Sequence, residues 1–363
     1  MRALIYEGPH TVRYTESLEV REPGPGEVLV RIAASGICHS DISVIDGTIA
    51  WAAPAVLGHE GAGVIERVGA HVTGLAPGDH VALHTLAYCG RCAHCIAGAP
   101  THCRATLGNR TEPFRLGDTP VSNFAATSTF AELTVVKQQQ AVKIDDDIPL
   151  DLACLIGCGV MTGVGAVIHR AAVKPGDTAV VIGIGGVGLN VIQGLRIAGA
   201  SRIVAVDLRA DREGIARDFG ATDFIDAARE DVGPRVKALF ADPVNAMASG
   251  ADWAFECSGN ARALRSAVDC LGWGGTCLVI GVPAAGDTLE VPIAPLALVD
   301  RGIMGVRYGT AQPNRDIHTY VSLYRNGLLK LEELATQRYA LEDYAQAFED
   351  LEAGKLARGV FLF

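Results

Sequence analysis

The chain has 363 residues, which is too long for one ordinary hydrophobic core, so two domains are expected. With 49% hydrophobic residues and a mean hydropathy of +0.25, it can fill packed interiors, which excludes extended disorder. Its formal charge of -10, without a basic cluster, speaks against a surface for nucleic acid or an anionic membrane.

The first part of the chain is predicted to be rich in β-strands. Met1–Gly8 is typical of a short strand, and it lacks the apolar segment of a secretory signal. Ten cysteines without such a signal indicate metal ligands and buried thiols in a reducing compartment, so a cytoplasmic location is expected. Further strand candidates, separated by Pro/Gly turns, are Val28–Ala33, Gly63–Val68 and His80–Leu83.

Four cysteines follow closely on one another in this part of the chain. Cys89, Cys92, Cys95 and Cys103 have the spacing C-x2-C-x2-C-x7-C. Four thiolates at this spacing can surround one Zn²⁺ and leave no coordination position open, so this lobe is predicted to hold a structural zinc ion. Four of the other cysteines lie in apolar runs and are expected in the core: Cys154, Cys257, Cys270 and Cys277.

The middle of the chain is predicted to alternate strands with helices. Thr178–Ile182 is a continuous apolar run, typical of a strand buried on both faces, and a helix is expected over Val187–Ala198. Such alternation indicates a parallel, doubly wound sheet. The later candidates are strands at Arg202–Val206, Trp253–Cys257 and Thr276–Ile280, and helices at Arg209–Phe219 and Ala261–Leu271.

The C-terminal part is expected to contain one helix, Leu341–Glu352, and a final strand, Val360–Phe363. We assign it to the first domain, so that the α/β domain is an insertion. The predicted division is residues 1–159 with 308–363 for the β-rich domain, and residues 160–307 for the α/β domain.

A glycine-rich turn between a buried strand and a helix predicts a dinucleotide site. Gly183–Gly188 fits G-x-G-x-x-G, and Asp207 ends the next strand. Asp207 is expected to bind the adenosine ribose hydroxyls and to repel a 2′-phosphate, which favours NAD over NADP. Arg209 and Arg212 lie close in sequence and could weaken that preference, and Arg212 is itself a cofactor-binding candidate. The glycines that would let the backbone approach a pyrophosphate are Gly183, Gly185, Gly186 and Gly188.

Three further residues are candidates for a second metal site with an open position. Cys38, His59 and Cys158 offer two thiolates and one imidazole, which would leave a fourth position on zinc for water or substrate. Taken alone, most isolated buried cysteines are simply small apolar residues. Here the neighbours favour a site, because Cys38 begins the run Cys-His-Ser-Asp, His59 precedes Glu60, and Cys158 lies between two glycines.

These motifs resemble those of the zinc-dependent medium-chain alcohol dehydrogenases, in the liver-type and class III-like branch. The resemblance implies a Rossmann domain inserted in a GroES-like catalytic domain, two zinc ions per chain, NAD, and reversible oxidation of primary or secondary alcohols to aldehydes or ketones. It also implies a homodimer, because Ile303–Gly309 is similar to the edge strand through which liver-type subunits join. The motifs that carry it are Gly58–Glu60, the four cysteines, Thr127–Phe130, Leu155–Val160 and Gly183–Gly188.

The resemblance also implies roles for individual residues. Cys38, His59 and Cys158 resemble the catalytic zinc ligands, Asp41 the carboxylate that orients His59, and Glu60 the glutamate behind the metal. The remaining implied roles are those of Ser40 as the hydroxyl that contacts the alcohol oxygen, of His39, Thr162, Val187 and Arg358 at the cofactor, and of Ile49, Thr85, Phe124 and Ala125 in the substrate pocket.

Two positions depart from the liver-type pattern and bear on the reaction. The histidine that ends the proton relay in that pattern is replaced by Ser43, which leaves His39 or a water chain to take its place. Thr85 and Ala125 are small, so the pocket is expected to admit bulky, cyclic or aryl alcohols. Of the remaining histidines, only His84 is expected near the substrate cleft.

Three different functions are compatible with parts of the same pattern. The glutathione-dependent formaldehyde branch has charged side chains where this chain has Ile49 and Leu107, which speaks against a thiol adduct, although Arg110 and Arg115 leave an acidic substrate open. A zinc-independent reductase and a non-catalytic binding or structural protein would share the fold. The complete ligand set and glycine motif speak against both.

Overall fold

The computed structural model describes residues 1–363. Its strands are β1 Ala3–Gly8, β2 Thr11–Thr15, β3 Glu19–Val20, β4 Glu27–Ile37, β5 Ala55–Val56, β6 Glu60–Val68, β7 His80–Leu83, β8 Phe114–Leu116, β9 Thr119–Asn123, β10 Leu133–Lys137, β11 Ala141–Lys143, β12 Thr178–Ile182, β13 Arg202–Asp207, β14 Asp223–Asp226, β15 Ala251–Glu256, β16 Leu271–Val279, β17 Gly302–Gly305, β18 Ala335–Ala340 and β19 Arg358–Leu362. Its α-helices are α1 His39–Ile45, α2 Ala93–Ile96, α3 Leu150–Ala153, α4 Gly159–Gly165, α5 Gly186–Ala198, α6 Glu213–Phe219, α7 Val232–Leu239, α8 Ala261–Asp269, α9 Ile293–Leu298, α10 Pro313–Arg325 and α11 Tyr344–Glu352.

The chain forms two compact units. The first contains Met1–Met161 together with Ala311–Phe363, and the second is the continuous segment Thr162–Thr310. The bounds expected from the sequence lie two or three residues from these.

Antiparallel strand pairing dominates the first unit. One sheet has the order β2-β1-β5-β9-β8-β3, and a second has the order β11-β7-β6-β4-β19-β18, with β10 also paired to β4. The long strand β4 is central in the second sheet, because its apolar side chains pack into a core with those of its neighbours. That core consists of Val28, Val30, Ile32, Ile65, Val81, Leu83, Val136 and Ala141.

The second unit is built on a six-stranded parallel sheet with the order β14-β13-β12-β15-β16-β17. Strand β12 is central, paired to β13 on one side and β15 on the other, which explains its unbroken apolar sequence. The prediction of a doubly wound parallel sheet is confirmed. Strand order reverses between β12 and β15, and ligands of such sheets bind at the carboxyl ends of the strands where this reversal occurs.

The C-terminal part contains more structure than the single helix and strand expected for it. Helix α10, with Pro313 in its first turn, and strand β18 were both missed. The start of this helix had a recognisable sequence signal, the proline at its first position. In the structure, the Asp316 carboxylate also accepts a hydrogen bond from the Gln312 N–H (2.7 Å) at this start. Strand β18 is mostly exposed and polar, so it carried no apolar signal.

The predicted edge strand over Ile303–Gly309 is shorter than expected. Strand β17 does lie at the edge of the parallel sheet, but it ends at Gly305. Tyr308, Gly309 and Thr310 have φ values of 52°, 62° and 55°, and this left-handed turn is incompatible with a continuing strand. Association of two copies through this edge stays a prediction.

No single helix is both long and apolar enough to cross a membrane. One bent helical pair, Leu150–Gly157 with Gly159–Ala171, passes that test by length and composition alone, as buried core helices also do.

Candidate functional site

Strand pairing brings two distant segments together at one end of a sheet. In the antiparallel pair of β4 and β6, Gly36 lies opposite Glu60. Cys38 follows the end of β4 and His59 immediately precedes β6, so the register places both at the same edge. Glycine suits position 36, because a Cβ there would overlap the Glu60 carboxylate unless that side chain shifted.

Cys158 reaches the same place from a third segment. The backbone of Gly157 packs so closely on the carbonyl of Leu83 in β7 that a side chain would not fit. The ligand atoms of Cys38, His59, Glu60 and Cys158 consequently lie within 4.8 Å of one another. Two thiols, an imidazole and a carboxylate at this spacing are a set that suits zinc.

A buried carboxylate organises this cluster. Asp41 is completely buried and accepts hydrogen bonds from the Cys38 N–H (3.1 Å) and the Gly58 N–H (3.0 Å). Its Oδ1 also lies 3.2 Å from Nδ1 of His59. A proton on Nδ1 therefore points to Asp41, which leaves Nε2 as the nitrogen that can bind a metal.

Charged groups surround the cluster on its buried side. Arg358 Nη2 lies 3.4 Å from Glu60 Oε1 and 4.0 Å from Cys38 Sγ. Burial raises the pKa of Glu60 to about 7, against the opposing charge of Arg358. Neither oxygen of Glu60 has a hydrogen-bond partner, and neither does Nε of Arg358. A carboxylate without a hydrogen bond, beside two thiols and an imidazole, fits a bound cation.

The groups expected to move protons lie on helix α1. Ser40 is half-buried, and its Oγ is 3.8 Å from Cys38 Sγ, so its hydroxyl lies beside the cluster. His39 is exposed at the start of the helix, and Ser43 is half-buried one turn further on. The structure therefore brings Ser40 to the cluster and leaves His39 at the surface.

The four cysteines of the lobe also come together. The ligand atoms of Cys89, Cys92, Cys95 and Cys103 lie within 4.8 Å of one another. Hydrogen bonds from the Arg91 and Cys92 N–H groups lower the pKa of Cys89 to about 6, whereas burial and the neighbouring thiols raise the pKa of Cys95 to about 12. Few side chains of this lobe are buried, so an ion can supply cohesion that a core does not.

Two hydrogen bonds attach this lobe to the beginning of helix α10. Gln312 Nε2 donates to the carbonyl of Gly98 (2.6 Å), and Asn314 Nδ2 donates to the Tyr88 hydroxyl (2.9 Å). A side chain at Gly98 would collide with Gln312. The lobe is thereby fastened to the C-terminal segment of its own unit.

In the second unit, the glycine turn has the shape that a dinucleotide requires. Gly183 has a φ of 88°, and a Cβ on Gly188 would overlap the carbonyl of Gly183. Gly185 is exposed, with no neighbouring atom within 4 Å of a built Cβ, so a ligand can approach the backbone there. The turn leads into helix α5, which begins at Gly186 and includes the half-buried Val187.

Asp207 lies next to this turn. Its carboxylate accepts hydrogen bonds from the Ile184 N–H (2.7 Å) and the Arg209 N–H (3.0 Å). Arg212 is half-buried, whereas Arg209 pairs with Asp211 at 2.6 Å. Thr162, the first residue of the second unit, is half-buried in helix α4. A glycine turn, a helix start and a carboxylate in this arrangement are the features of an NAD-binding site.

Glu256 belongs to the same end of the sheet and was missed by the sequence analysis. It ends β15 opposite Ile182, is buried, and accepts hydrogen bonds from the Ser258 N–H (2.7 Å), the Ser258 hydroxyl (2.5 Å) and the Gly259 N–H (3.0 Å). Ser258 in turn packs on Gly183. Its position could have been noticed in the sequence, as an acidic residue at the end of a buried strand. Burying a carboxylate costs free energy unless hydrogen-bond donors surround it, so such a residue indicates a built environment.

Three of the four residues expected in the substrate pocket belong to one apolar core, in which an aromatic row begins at His59. The Phe124 ring is buried, with its centroid 5.6 Å from that of His59. Ile49 and Ala125 pack partly buried against the same core, and Thr85 is half-buried. Trp51, whose ring centroid is 4.9 Å from that of Phe124, was not anticipated.

His84 is a structural residue. Its Nε2 lies 2.7 Å from the carbonyl of Gln139, and its Nδ1 accepts a hydrogen bond from the Leu86 N–H (3.2 Å). Burial lowers its pKa to about 4, so it stays neutral. The expectation that it faces substrate has no support in these contacts.

Comparison with known proteins agrees with this arrangement. Residues 24–146 match the alcohol dehydrogenase GroES-like domain, and residues 186–326 match the zinc-binding dehydrogenase domain. An S-(hydroxymethyl)glutathione dehydrogenase from Paracoccus denitrificans is 39% identical over 364 residues, covering 96% of each chain. The chain belongs to the zinc-dependent medium-chain alcohol dehydrogenases. It is an NAD- and zinc-dependent dehydrogenase with the GroES-like and Rossmann domains expected of this family.

Two other members of this alcohol dehydrogenase family are closely similar. A class-3 alcohol dehydrogenase from Cereibacter sphaeroides is 38% identical, covering 96% of each chain. The crystal structure of benzyl alcohol dehydrogenase from Acinetobacter calcoaceticus has a TM-score of 0.91 and 33% identity, covering 100% of this chain and 99% of that one. The class III-like branch assignment is thereby confirmed.

Metal analysis of variants should separate the two clusters. The native chain is expected to contain about two zinc ions, and His59→Ala about one with little change in Tm, because that site is not a structural closure. Cys92→Ser should also leave about one ion, but lower the Tm by several degrees, since a structural ion contributes folding free energy. Cys154→Ala is the control and should keep both ions. Two ions retained in His59→Ala would refute the open site.

Glu256→Gln should weaken NADH binding by about 10-fold, because hydrogen bonds to a charged acceptor contribute about 1.5–3 kcal/mol and the donors of the 257–259 loop would then meet a neutral acceptor. Fluorescence titration with NADH gives the Kd. Asp252→Asn is the matched control, because its carboxylate accepts a hydrogen bond from the Thr178 N–H (2.8 Å) in the same sheet, but on the amino-terminal part of β15. An equal Kd for Glu256→Gln and the native chain would contradict the role of this loop.

Proposed function

We propose that this chain oxidises bulky primary or secondary alcohols, in particular aryl alcohols, to aldehydes or ketones with NAD⁺, in a reversible reaction. The observation that carries the proposal is the row of His59, Phe124 and Trp51, in which aromatic rings begin at a metal-ligand candidate. Residues of the first unit bind the alcohol, and residues of the second unit bind the dinucleotide.

Three side chains would hold the metal. Cys38, His59 and Cys158 would bind zinc, and Asp41, which lies 3.2 Å from Nδ1 of His59, would leave Nε2 of that ring free to bind it. When bound, zinc supplies a Lewis acid that lowers the pKa of the alcohol, and NAD⁺ supplies the acceptor for hydride. The two thiolates offset the charge of the dication, which favours release of the product.

The alcohol must also lose a proton, and Ser40 is the group placed to take it. Its hydroxyl lies beside Cys38, where the alcohol oxygen would be held. The chain has Ser43 in place of a terminal histidine, so the proton leaves Ser40 toward water or toward the exposed His39. A hydroxyl can pass a proton on only if a second acceptor is within hydrogen-bond reach.

The character of the pocket supports an aryl substrate. Phe124 offers the face or edge of a ring to a substrate held at His59, and aromatic pairs contribute about 0.5–1.5 kcal/mol beyond burial. Ile49 adds an apolar side chain to the same core. The similarity to a benzyl alcohol dehydrogenase, whose name states its substrate, agrees with this choice.

A second candidate is the oxidation of a thiol–formaldehyde adduct. It is favoured by the name of the Paracoccus denitrificans relative, an S-(hydroxymethyl)glutathione dehydrogenase. Against it stand Ile49 and the 79%-exposed Leu107, apolar where that branch has charged side chains. Relative rates with the two kinds of substrate distinguish the candidates.

A panel of alcohols with saturating NAD⁺ tests the substrate class. Benzyl alcohol should have a kcat/KM at least about 10-fold above that of ethanol, with cyclohexanol between them, because the smaller alcohols leave apolar area of the pocket unfilled. Glutathione with formaldehyde is the fourth substrate. A preference for ethanol would refute the wide pocket, and a preference for the glutathione adduct would establish the second candidate.

Ser40→Ala should lower kcat for benzyl alcohol by about 100-fold or more, the magnitude of a lost general acid–base group. Ser40→Thr, which retains a hydroxyl, is the control and should recover most of the rate. Ser43→His should change the pH profile of oxidation, since an imidazole titrates near pH 6.5. A native rate in Ser40→Ala would remove Ser40 from the mechanism.

A further inference from the structure

The aromatic row at His59 ends in a positive charge. Beyond Phe124 comes Trp51, at 4.9 Å between ring centroids and an interplanar angle of 82°. The guanidinium carbon of Arg110 then lies 5.2 Å from the centroid of the Trp51 ring. The first unit thus contains a continuous row of four side chains: His59, Phe124, Trp51 and Arg110.

The side chain of Arg110 has neither a carboxylate partner nor a hydrogen bond. Its side chain is exposed, and the Trp51 ring is its contact. Arg115, by contrast, donates hydrogen bonds to the carbonyls of Gly117 (3.3 Å) and Asp118 (2.7 Å). A cation–π contact at an exposed site contributes about 0.5–1 kcal/mol, which holds the guanidinium in place but leaves its charge unneutralised.

A second observation points to the same end of the row. Nε1 of Trp51 is buried and has no hydrogen-bond acceptor. Leaving a buried donor unpaired costs about 1–3 kcal/mol, so an acceptor brought by a ligand would relieve that cost. An unpaired N–H and an unpaired cation therefore lie next to each other.

We propose that Arg110 and Trp51 form a subsite for an anionic group, so that the preferred substrates are aryl alcohols that carry a carboxylate on the ring. The proposal rests on the proposed function and specifies its substrate class. The hydroxymethyl group lies at Cys38, His59 and Cys158, and the aromatic ring lies beside Phe124. The carboxylate then accepts charge-assisted hydrogen bonds from Arg110, which guanidinium geometry suits.

The subsite differs from the charged positions of the glutathione-dependent branch. Those positions correspond to Ile49 and Leu107, and neither carries a charge here. Arg110 lies three residues beyond Leu107, and its position is defined by Trp51. A flat carboxylated ring, rather than a flexible tripeptide, matches a cation that caps a row of aromatic rings.

The test compares benzyl alcohol with 3- and 4-(hydroxymethyl)benzoate as substrates, each with saturating NAD⁺. The native enzyme should prefer one of the benzoates over benzyl alcohol by about 10-fold or more in kcat/KM. Arg110→Met should abolish that preference, mainly through a higher KM for the benzoate, because the lost contact is one of binding. Trp51→Phe, which keeps a ring and removes the N–H, should reduce the preference by several-fold.

Controls distinguish a local charge from a general one. Arg115→Met removes an exposed charge five residues away and should leave the preference unchanged. Raising the salt concentration should reduce the preference of the native enzyme, since screening weakens an exposed ion pair. Tm values of all variants check that the fold is intact.

The outcomes separate this proposal from the function on which it rests. If benzyl alcohol and both benzoates are not oxidised, the proposed function itself fails. If benzyl alcohol is oxidised but neither benzoate is preferred, or if Arg110→Met keeps the preference, the anionic subsite is wrong. If Arg110→Met reduces only the rate with glutathione and formaldehyde, Arg110 binds the thiol adduct. The proposal that it binds aryl carboxylates is then refuted.

Discussion

The register between β4 and β6 decides where the candidate metal ligands lie. With Gly36 opposite Glu60, the residues just outside the two strands, Cys38 and His59, meet at one edge of the sheet. A shift of one residue would turn the side chains of one strand to the opposite face and separate the pair. The apolar core around β4 fixes that register, so packing far from the metal determines the geometry of the chemistry.

Asp41 converts this proximity into a defined ligand geometry. Its carboxylate joins the start of helix α1 to the segment before β6 and orients the imidazole of His59. Ser40 precedes it by one residue, so the same helix start carries the proposed proton acceptor. In the second unit, Glu256 has a comparable role, because its carboxylate shapes a loop next to the glycine turn. Each site therefore depends on a buried carboxylate that hydrogen-bonds backbone donors.

Local patterns revealed much of the fold and part of the site. The strands β7 and β12 coincide with their predicted runs, because a short apolar sequence between turn residues is a local signal. The four cysteines and the glycine turn were likewise visible as spacings. Cys158 is different, because it joins Cys38 through contacts across three segments, and before the structure only its flanking glycines and the family resemblance indicated it.

What the sequence left out depends on contacts between distant residues. Trp51 has no motif around it, and Arg110 was visible only as a charge that left an acidic substrate open. The aromatic row that begins at His59 and connects these two residues is apparent only in the structure. The length of β17 was overestimated because three consecutive left-handed residues after it, including Tyr308 and Thr310, are not recognisable from residue type. Strand β18 depends on pairing with β19 and not on its own composition.

The four-cysteine lobe is attached to helix α10. A zinc ion at these cysteines would therefore help to hold the C-terminal segment in place, although it lies outside the candidate active site. Gly98 and Tyr88 are hydrogen-bonded to Gln312 and Asn314, which closes a long loop of the chain without a covalent bond. This closure lasts only while the lobe keeps its shape, which a bound ion would support. The anchoring of the C-terminal segment is therefore under the control of thiolate chemistry more than two hundred residues away in the sequence.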